Sequence, residues 1–360
     1  MRARIHTEFI NGASTVQFER TLHEVGTADG MNLVVTHKRP VSGEVRGAVL
    51  FIHGLGQNRY SWTLTRRSME NYFVSKGLET FNAELRGHGL SRANGSEYPT
   101  GFETYLQFDV PAILEAVHEI SGGRKVFLVG HSLGGTIAYC LPPQLQDYLA
   151  GIISIGGPFR MGKGNPLLRV GAKVGVTAGN LVRLHRLHPK AFYVDVIGLL
   201  VRYGLFFFDN PFNRIPVQVW FPRSIERDIL VERIEKGFDR TSFAVFWLLI
   251  EWAASGRLHG SDGTRGFEDR ISALTVPILF VVGDRDYVVP ETSVREAYEK
   301  AGSSDKELKV FGNEARGLHW GHCDLICGEH APRITWPYMW RWIEARLPDS
   351  PDSSQQDPDA

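Results

Sequence analysis

Short apolar runs, each stopped by glycine or a polar turn, alternate along this chain with stretches of helical periodicity. Gly47–Ile52, Val126–Val129, Gly151–Ile155 and Pro277–Val282 are apolar throughout or nearly so, which predicts strands buried on both faces of a parallel sheet, and Leu78–Ala83 reads as a further strand. Glu307–Phe311 predicts one more. Between them Ser61–Lys76, Phe102–Glu119, Glu291–Ala301 and Trp336–Leu347 read as amphipathic helices, with Gly77 placed to end the first. Upstream, Thr21–Gly30 and Met31–Arg39 flank an Asp-Gly pair, a short-range hairpin signal. The pattern predicts an α/β fold, with a mostly parallel sheet flanked by helices.

The alternation stops at Phe159 and resumes only after about Gly266. The intervening residues mix basic, aromatic and aliphatic side chains in helix-like segments at Leu181–His188, Tyr193–Phe208, Ile225–Phe238 and Thr241–Gly256. Residues 159–266 are therefore expected to be a helical cap inserted into one core, formed by residues 1–158 and 267–347. Phe243–Ile250 is apolar all round, so a helix there needs cover on more than one side. The core would supply part of that cover and a bound acyl chain the rest. The tail, residues 348–360, is polar and acidic and is expected to be disordered.

Composition narrows the function classes without choosing among them. Forty basic residues balance forty acidic ones over 360 positions, so no charge excess points to nucleic acid. Three cysteines are too few and too unevenly placed for a disulfide framework, which suits a reduced compartment. No apolar run reaches the roughly 18 residues of a membrane span, and the N-terminal stretch lacks an apolar signal-peptide core. The expectation is a cytoplasmic chain without a transmembrane segment, with room for peripheral membrane contact. Oligomeric state is left open.

The candidate chemistry begins where the run Val126–Val129 meets Gly130-His131-Ser132-Leu133-Gly134. A nucleophilic serine on a sharp strand-to-helix turn needs neighbours two residues away without side chains, because strand and helix approach closely there. Ser132 is the candidate nucleophile, and the amide of Leu133 lies at the start of the helix that follows. His53-Gly54-Leu55-Gly56 closes an earlier buried strand, where glycines let backbone amides face the site; the Leu55 amide is the second candidate oxyanion donor. His88, in the Arg86–Ser91 turn, reads as a structural residue. After the strand Pro277–Val282, Gly283-Asp284-Arg285-Asp286 offers two carboxylates. Asp286 is favoured because it stands deeper in the loop, while Asp284 would bond turn amides. Gly317–Asp324 offers two histidines; His322 is favoured and His319 would be a loop histidine packed by Trp320. Chain order is then Ser, Asp, His. Cys323 and Cys327 are too few for a closed zinc site and read as small buried residues.

HGLG at 53–56, RGHGLS at 86–91, GHSLG at 130–134, GDRDYVVP at 283–290 and GH at 321–322 together resemble the α/β-hydrolase superfamily. TADG, FETYLQFDVPAILEAV and HCDLICGEHAP are similar to its acid-lipase branch, whose lysosomal members are secreted, unlike what the N-terminal stretch here suggests. The resemblance implies a serine hydrolase acting on a lipophilic ester through an acyl-enzyme, with no metal or organic cofactor. It equally admits acyl transfer or C–C hydrolysis on the same residues, or a catalytically inactive binding protein. Epoxide-hydrolase chemistry would want an aspartate in place of Ser132, and polyester-synthase-like relatives a cysteine.

Overall fold

The computed structural model describes residues 4–182, 190–210, 212, 218–259, 266–312, 314 and 317–348. Nine principal strands form one sheet: β1 (Arg4–Asn11), β2 (Ser14–Gly26), β3 (Asn32–Pro40), β4 (Gly47–Ile52), β5 (Leu78–Glu84), β6 (Val126–His131), β7 (Leu149–Ile155), β8 (Ile278–Gly283) and β9 (Lys306–Phe311). Their spatial order is 9-8-7-6-4-5-3-2-1, continued past β1 by two-residue strands at Arg67–Ser68 and Thr63–Leu64. The six strands from β9 to β5 run parallel, and β3, β2 and β1 add an antiparallel meander.

The burial pattern follows from this topology. β4, β5, β6 and β8 are buried at every position, because helices cover both faces of a parallel sheet. One face packs α1 (Met69–Val74) and α8 (Thr335–Glu344) through Phe51, Phe73, Trp336 and Trp340. The other packs α2 (Val110–Ile120), α3 (Leu133–Tyr139) and α7 (Glu291–Lys300) through Leu50, Ile113, Ile137 and Val294. Between β7 and β8, which are neighbours in the sheet, the chain forms α4 (Pro166–Leu181), α5 (Val194–Tyr203) and α6 (Phe243–Ser255).

Several expectations need correction. Ser61–Lys76 is not one helix: only Met69–Val74 is α-helical, preceded by two short strands. Arg67 explains the break, since its guanidinium is buried and bonded to the carbonyls of Cys327 and Gly328, which holds that segment extended. Phe102–Ile120 is helical but passes through a π-turn at Tyr105–Asp109 ahead of Pro111, which has no N–H to give to the preceding turn. Residues 159–266 do contain a small ladder, Ala191–Tyr193 against Arg240–Ser242. Helix α4 has no counterpart among the expected segments, because Gly171, Gly175 and Gly179 weaken its sequence signal. The helix expected at Leu181–His188 lies largely, and the tail beyond Pro348 wholly, outside the described residues.

α6 is covered by protein on several sides. Val245, Leu249 and Trp252 join the main core, the Trp247 ring fills the space a Cβ on Gly179 would need, and Phe246 stacks on Phe192 with centroids 3.6 Å apart.

Candidate active site

Ser132 stands between β6 and α3 with φ 53° and ψ −119°, one of two non-glycine residues at positive φ among those described. Such backbone costs on the order of 1–3 kcal/mol and persists only where its surroundings enforce it. The enforcement is visible in the two flanking glycines. A Cβ on Gly130 would stand 2.2 Å from the carbonyl oxygen of Gly134, and a Cβ on Gly134 would stand 2.3 Å from that of Ile52. The turn thus brings α3 against the ends of β6 and β4 and leaves Ser132 half-buried at the sheet's C-terminal edge. Leu133 is the first residue of α3, so its amide belongs to the unpaired, electropositive helix start. The His53–Gly56 loop passes close by, with a Gly54 Cβ only 3.0 Å from that of Ser132.

The two carboxylates and two histidines sort into two pairs. Asp286 Oδ2 accepts from His322 Nδ1 at 2.6 Å, and both side chains are almost wholly buried. Asp284 Oδ2 lies 2.6 Å from His319 Nδ1, with about a fifth of each side chain exposed. The turn amides fall to Asp286, whose Oδ1 accepts from Val288 and Val289, while Asp284 accepts the amide of Trp320 in the other loop. His319 packs on Phe221 rather than on Trp320. Only the inner pair lies at the end of β7: a Cβ on Gly156 would come within 2.9 Å of the His322 ring. His131, beside Ser132, has its ring 4.6 Å from that of His322 and its Nε2 3.2 Å from the His322 carbonyl. Burial holds the His131 ring well below the usual histidine range, so it stays neutral beside Ser132.

The other histidines of these motifs are satisfied by nearby groups. His53 Nε2 accepts from the Leu85 amide and its Nδ1 donates to the Gly54 carbonyl; burial pushes its pKa down to about 3. His88 spans the Arg86 carbonyl and the Thr241 hydroxyl. Cys323 and Cys327 are buried free thiols, raised to about 11 and about 12 by burial, so neither offers a thiolate. Three motifs meet at Arg86, which bonds Asp109 of the π-turn and both oxygens of Asp29 in the TADG turn.

Residues that the sequence reading passed over join 218–242 to these loops. Arg233 is 2% exposed and donates to the Tyr60 carbonyl and to Gln57 Oε1, with no carboxylate in ion-pair contact among the described residues. Gln57 Oε1 in turn faces His131 Nδ1 at 3.3 Å. Asp239 accepts from the Gly89 amide, pairs with Arg92 and donates its own amide to Gly56. On the histidine side, Asp324 Oδ2 accepts from the amides of Gly321 and Phe221, and the Cys323 amide donates to Val219. Nothing in the sequence singles out Arg233 among the arginines and lysines of residues 223–240, so this arrangement had no signal there.

Asp324 yields a pH prediction. Burial pushes its pKa up to about 7, the amides of Gly321 and Phe221 opposing the shift. The folded protein then keeps a proton that the unfolded chain releases near pH 4. Stability should fall by about 1.4 kcal/mol per pH unit between about pH 4 and pH 7 and level off above. Asp324→Asn can still accept both amides and should flatten that slope in chemical denaturation at several pH values. Asp324→Ala strands two buried amides and should destabilise at every pH by about 1–3 kcal/mol for each. An unchanged slope in Asp324→Asn would refute the assignment.

Comparison with known proteins agrees with the fold. A family model described as alpha/beta hydrolase fold matches residues 47–172, and one described as serine aminopeptidase, S33, matches residues 258–317. The caffeoylshikimate esterase of Arabidopsis thaliana is 22% identical over 86% of this chain and 80% of its own length. Epoxide hydrolase 3 of Xenopus tropicalis is 30% identical, but the match covers 32% of this chain and 29% of that protein. The monoacylglycerol lipase of Paleococcus ferrophilus superposes with a TM-score of 0.57 at 18% identity, over 88% of this chain and all of that one. The chain belongs to the α/β-hydrolase superfamily.

Proposed function

We propose that this protein is a serine hydrolase that cleaves a carboxylic ester of a lipophilic substrate through an acyl-enzyme. The observation that carries the reading is the backbone of Ser132, held at positive φ above the sheet beside the buried Asp286–His322 pair. In this reading Ser132 Oγ attacks the ester carbonyl while His322 Nε2 takes its proton. Asp286 keeps the other ring proton on Nδ1, which leaves Nε2 free to accept. The Leu55 and Leu133 amides receive the developing oxyanion. His322 then returns the proton to the leaving alcohol, and water attacks the acyl-enzyme with His322 again as base. Residues 159–266 form a cap over this site, tied down on its oxyanion side by Arg233 and Asp239 and on its histidine side by Asp324. The likeness to an epoxide hydrolase does not extend to that reaction, since a serine stands where its carboxylate nucleophile would be needed.

The lipophilic part of the reading rests on the apolar cap segments and on the esterase and lipase likenesses. Each buried methylene contributes about 0.8 kcal/mol, so a long acyl pocket rewards each added pair of carbons several-fold until it is full. In a series of p-nitrophenyl esters, kcat/KM should rise from acetyl to at least octanoyl. A profile that peaks at acetate and declines would replace the lipophilic substrate with a small one and leave the nucleophile assignment standing.

A further inference from the structure

Helix α4 is apolar on two faces. Its inner face, with Ala172 and Gly179 buried, packs along α6, where the Trp247 ring takes the place of a Gly179 side chain. Its outer face carries Leu167, Val170, Val174 and Leu181, respectively 66%, 60%, 63% and 83% exposed. Spacings of three, four and seven residues put these four in one stripe along the helix. Single exposed apolar side chains need no explanation, but a stripe does. The same bias continues through α5, where Val196, Leu199, Leu200 and Tyr203 are exposed. Among the described residues, fourteen of nineteen large exposed apolar side chains fall between 167 and 212.

Charge decides what suits this surface. The whole chain is neutral, yet between Asp147 and Asp195 it has seven lysines and arginines and no carboxylate. Arg169 and Lys173 lie exposed on α4 beside the stripe, and neither is in ion-pair contact with a carboxylate among the described residues. An apolar stripe bordered by free cations is the chemistry of a helix that lies in the plane of a bilayer surface. A second copy of the chain is a poorer partner, because stripe against stripe brings like charges together with no acid to pair them.

We propose that the outer face of α4 docks this protein on an anionic lipid surface, the stripe entering the acyl boundary and Arg169 and Lys173 meeting the headgroups. The proposal does not depend on the hydrolase reading, because its readout is partition and not turnover.

The test is flotation of the full chain with vesicles of phosphatidylcholine alone or with about 30 mol % phosphatidylserine. Binding should be to the anionic vesicles and should be released when salt is raised from about 0.1 to 0.5 M. Each cation near the surface contributes about fivefold to partition, so Arg169→Glu with Lys173→Glu should reduce it at least tenfold. Val170→Asp with Val174→Asp should do the same, both double variants keeping the wild-type melting temperature. Equal flotation with both vesicle types, or none with either, overturns the proposal. A dimer in light scattering that Val170→Asp with Val174→Asp dissociates, without vesicle binding, would make the stripe a contact between copies. If a double variant fails to fold, the lipid and salt dependence of the unmodified chain still decides.

Discussion

Ser132→Ala is expected to lower ester turnover by about five to six powers of ten and to abolish labelling by a fluorophosphonate probe, with the fold intact. The magnitude reflects how such sites work as a unit: without the nucleophile, only oxyanion stabilisation and binding remain. The backbone at residue 132 supplies a second readout. Alanine inherits the positive φ of 53°, whereas glycine adopts it freely. Ser132→Gly should therefore be equally inactive yet more stable than Ser132→Ala by about 1 kcal/mol or more, measured as a shift in denaturation midpoint. Labelling that survives in Ser132→Ala would remove this residue as the nucleophile. Equal stability of the two variants would show that the turn stores no strain.

His322→Ala is expected to cost several powers of ten in kcat, and His319→Ala less than about tenfold. Each histidine lies 2.6 Å from its own aspartate, so distance does not separate the pairs. Position does. The His322 ring lies against Gly156 at the end of β7 and beside His131, the neighbour of Ser132. His319 instead packs on Phe221 and keeps about a fifth of its side chain in water. Asp286→Asn should lower kcat by about four powers of ten, because an amide that donates to Nδ1 leaves the proton on Nε2. Asp284→Asn should be mild and act on stability, through the Trp320 amide it holds. The reverse ranking, His319→Ala dead and His322→Ala near normal in folded protein, would move the chemistry to the outer pair.

The contrast between these pairs marks where the sequence reading stopped. Both aspartates follow the same buried strand and both histidines sit in one loop, so spacing alone ranked them only by depth. What separates them is three-dimensional: two loops about 36 residues apart meet, and Asp286 uses one oxygen for turn amides and the other for His322. The expectation that Asp284 bonds turn amides failed because nothing local in GDRD says which carboxylate turns inward.

Much of the core was legible because it is governed by local rules. Short unbroken apolar runs read as strands buried on both faces, and β4, β6, β7 and β8 lie where those runs are. Gly130 and Gly134 could be read as demanded by close approach, and the carbonyls of Gly134 and Ile52 occupy the space their side chains would need. Elsewhere distant partners override local preference. Ser61–Ser68 forms turns and two short strands instead of a helix because Arg67 is bonded to the far end of the chain, and α4 forms despite its glycines because α6 presses a tryptophan ring into the gap that Gly179 leaves. The same holds for the bonds of Arg233 to Gln57, Asp239 to Gly89 and Asp324 to Phe221, which join residues 176, 150 and 103 positions apart along the chain. A sequence carries the period of its strands and the size of its turn residues directly. Which buried charge holds which loop is decided only when segments remote along the chain are packed together, since burial makes the cost of an unmade hydrogen bond or unpaired charge large enough to select one arrangement.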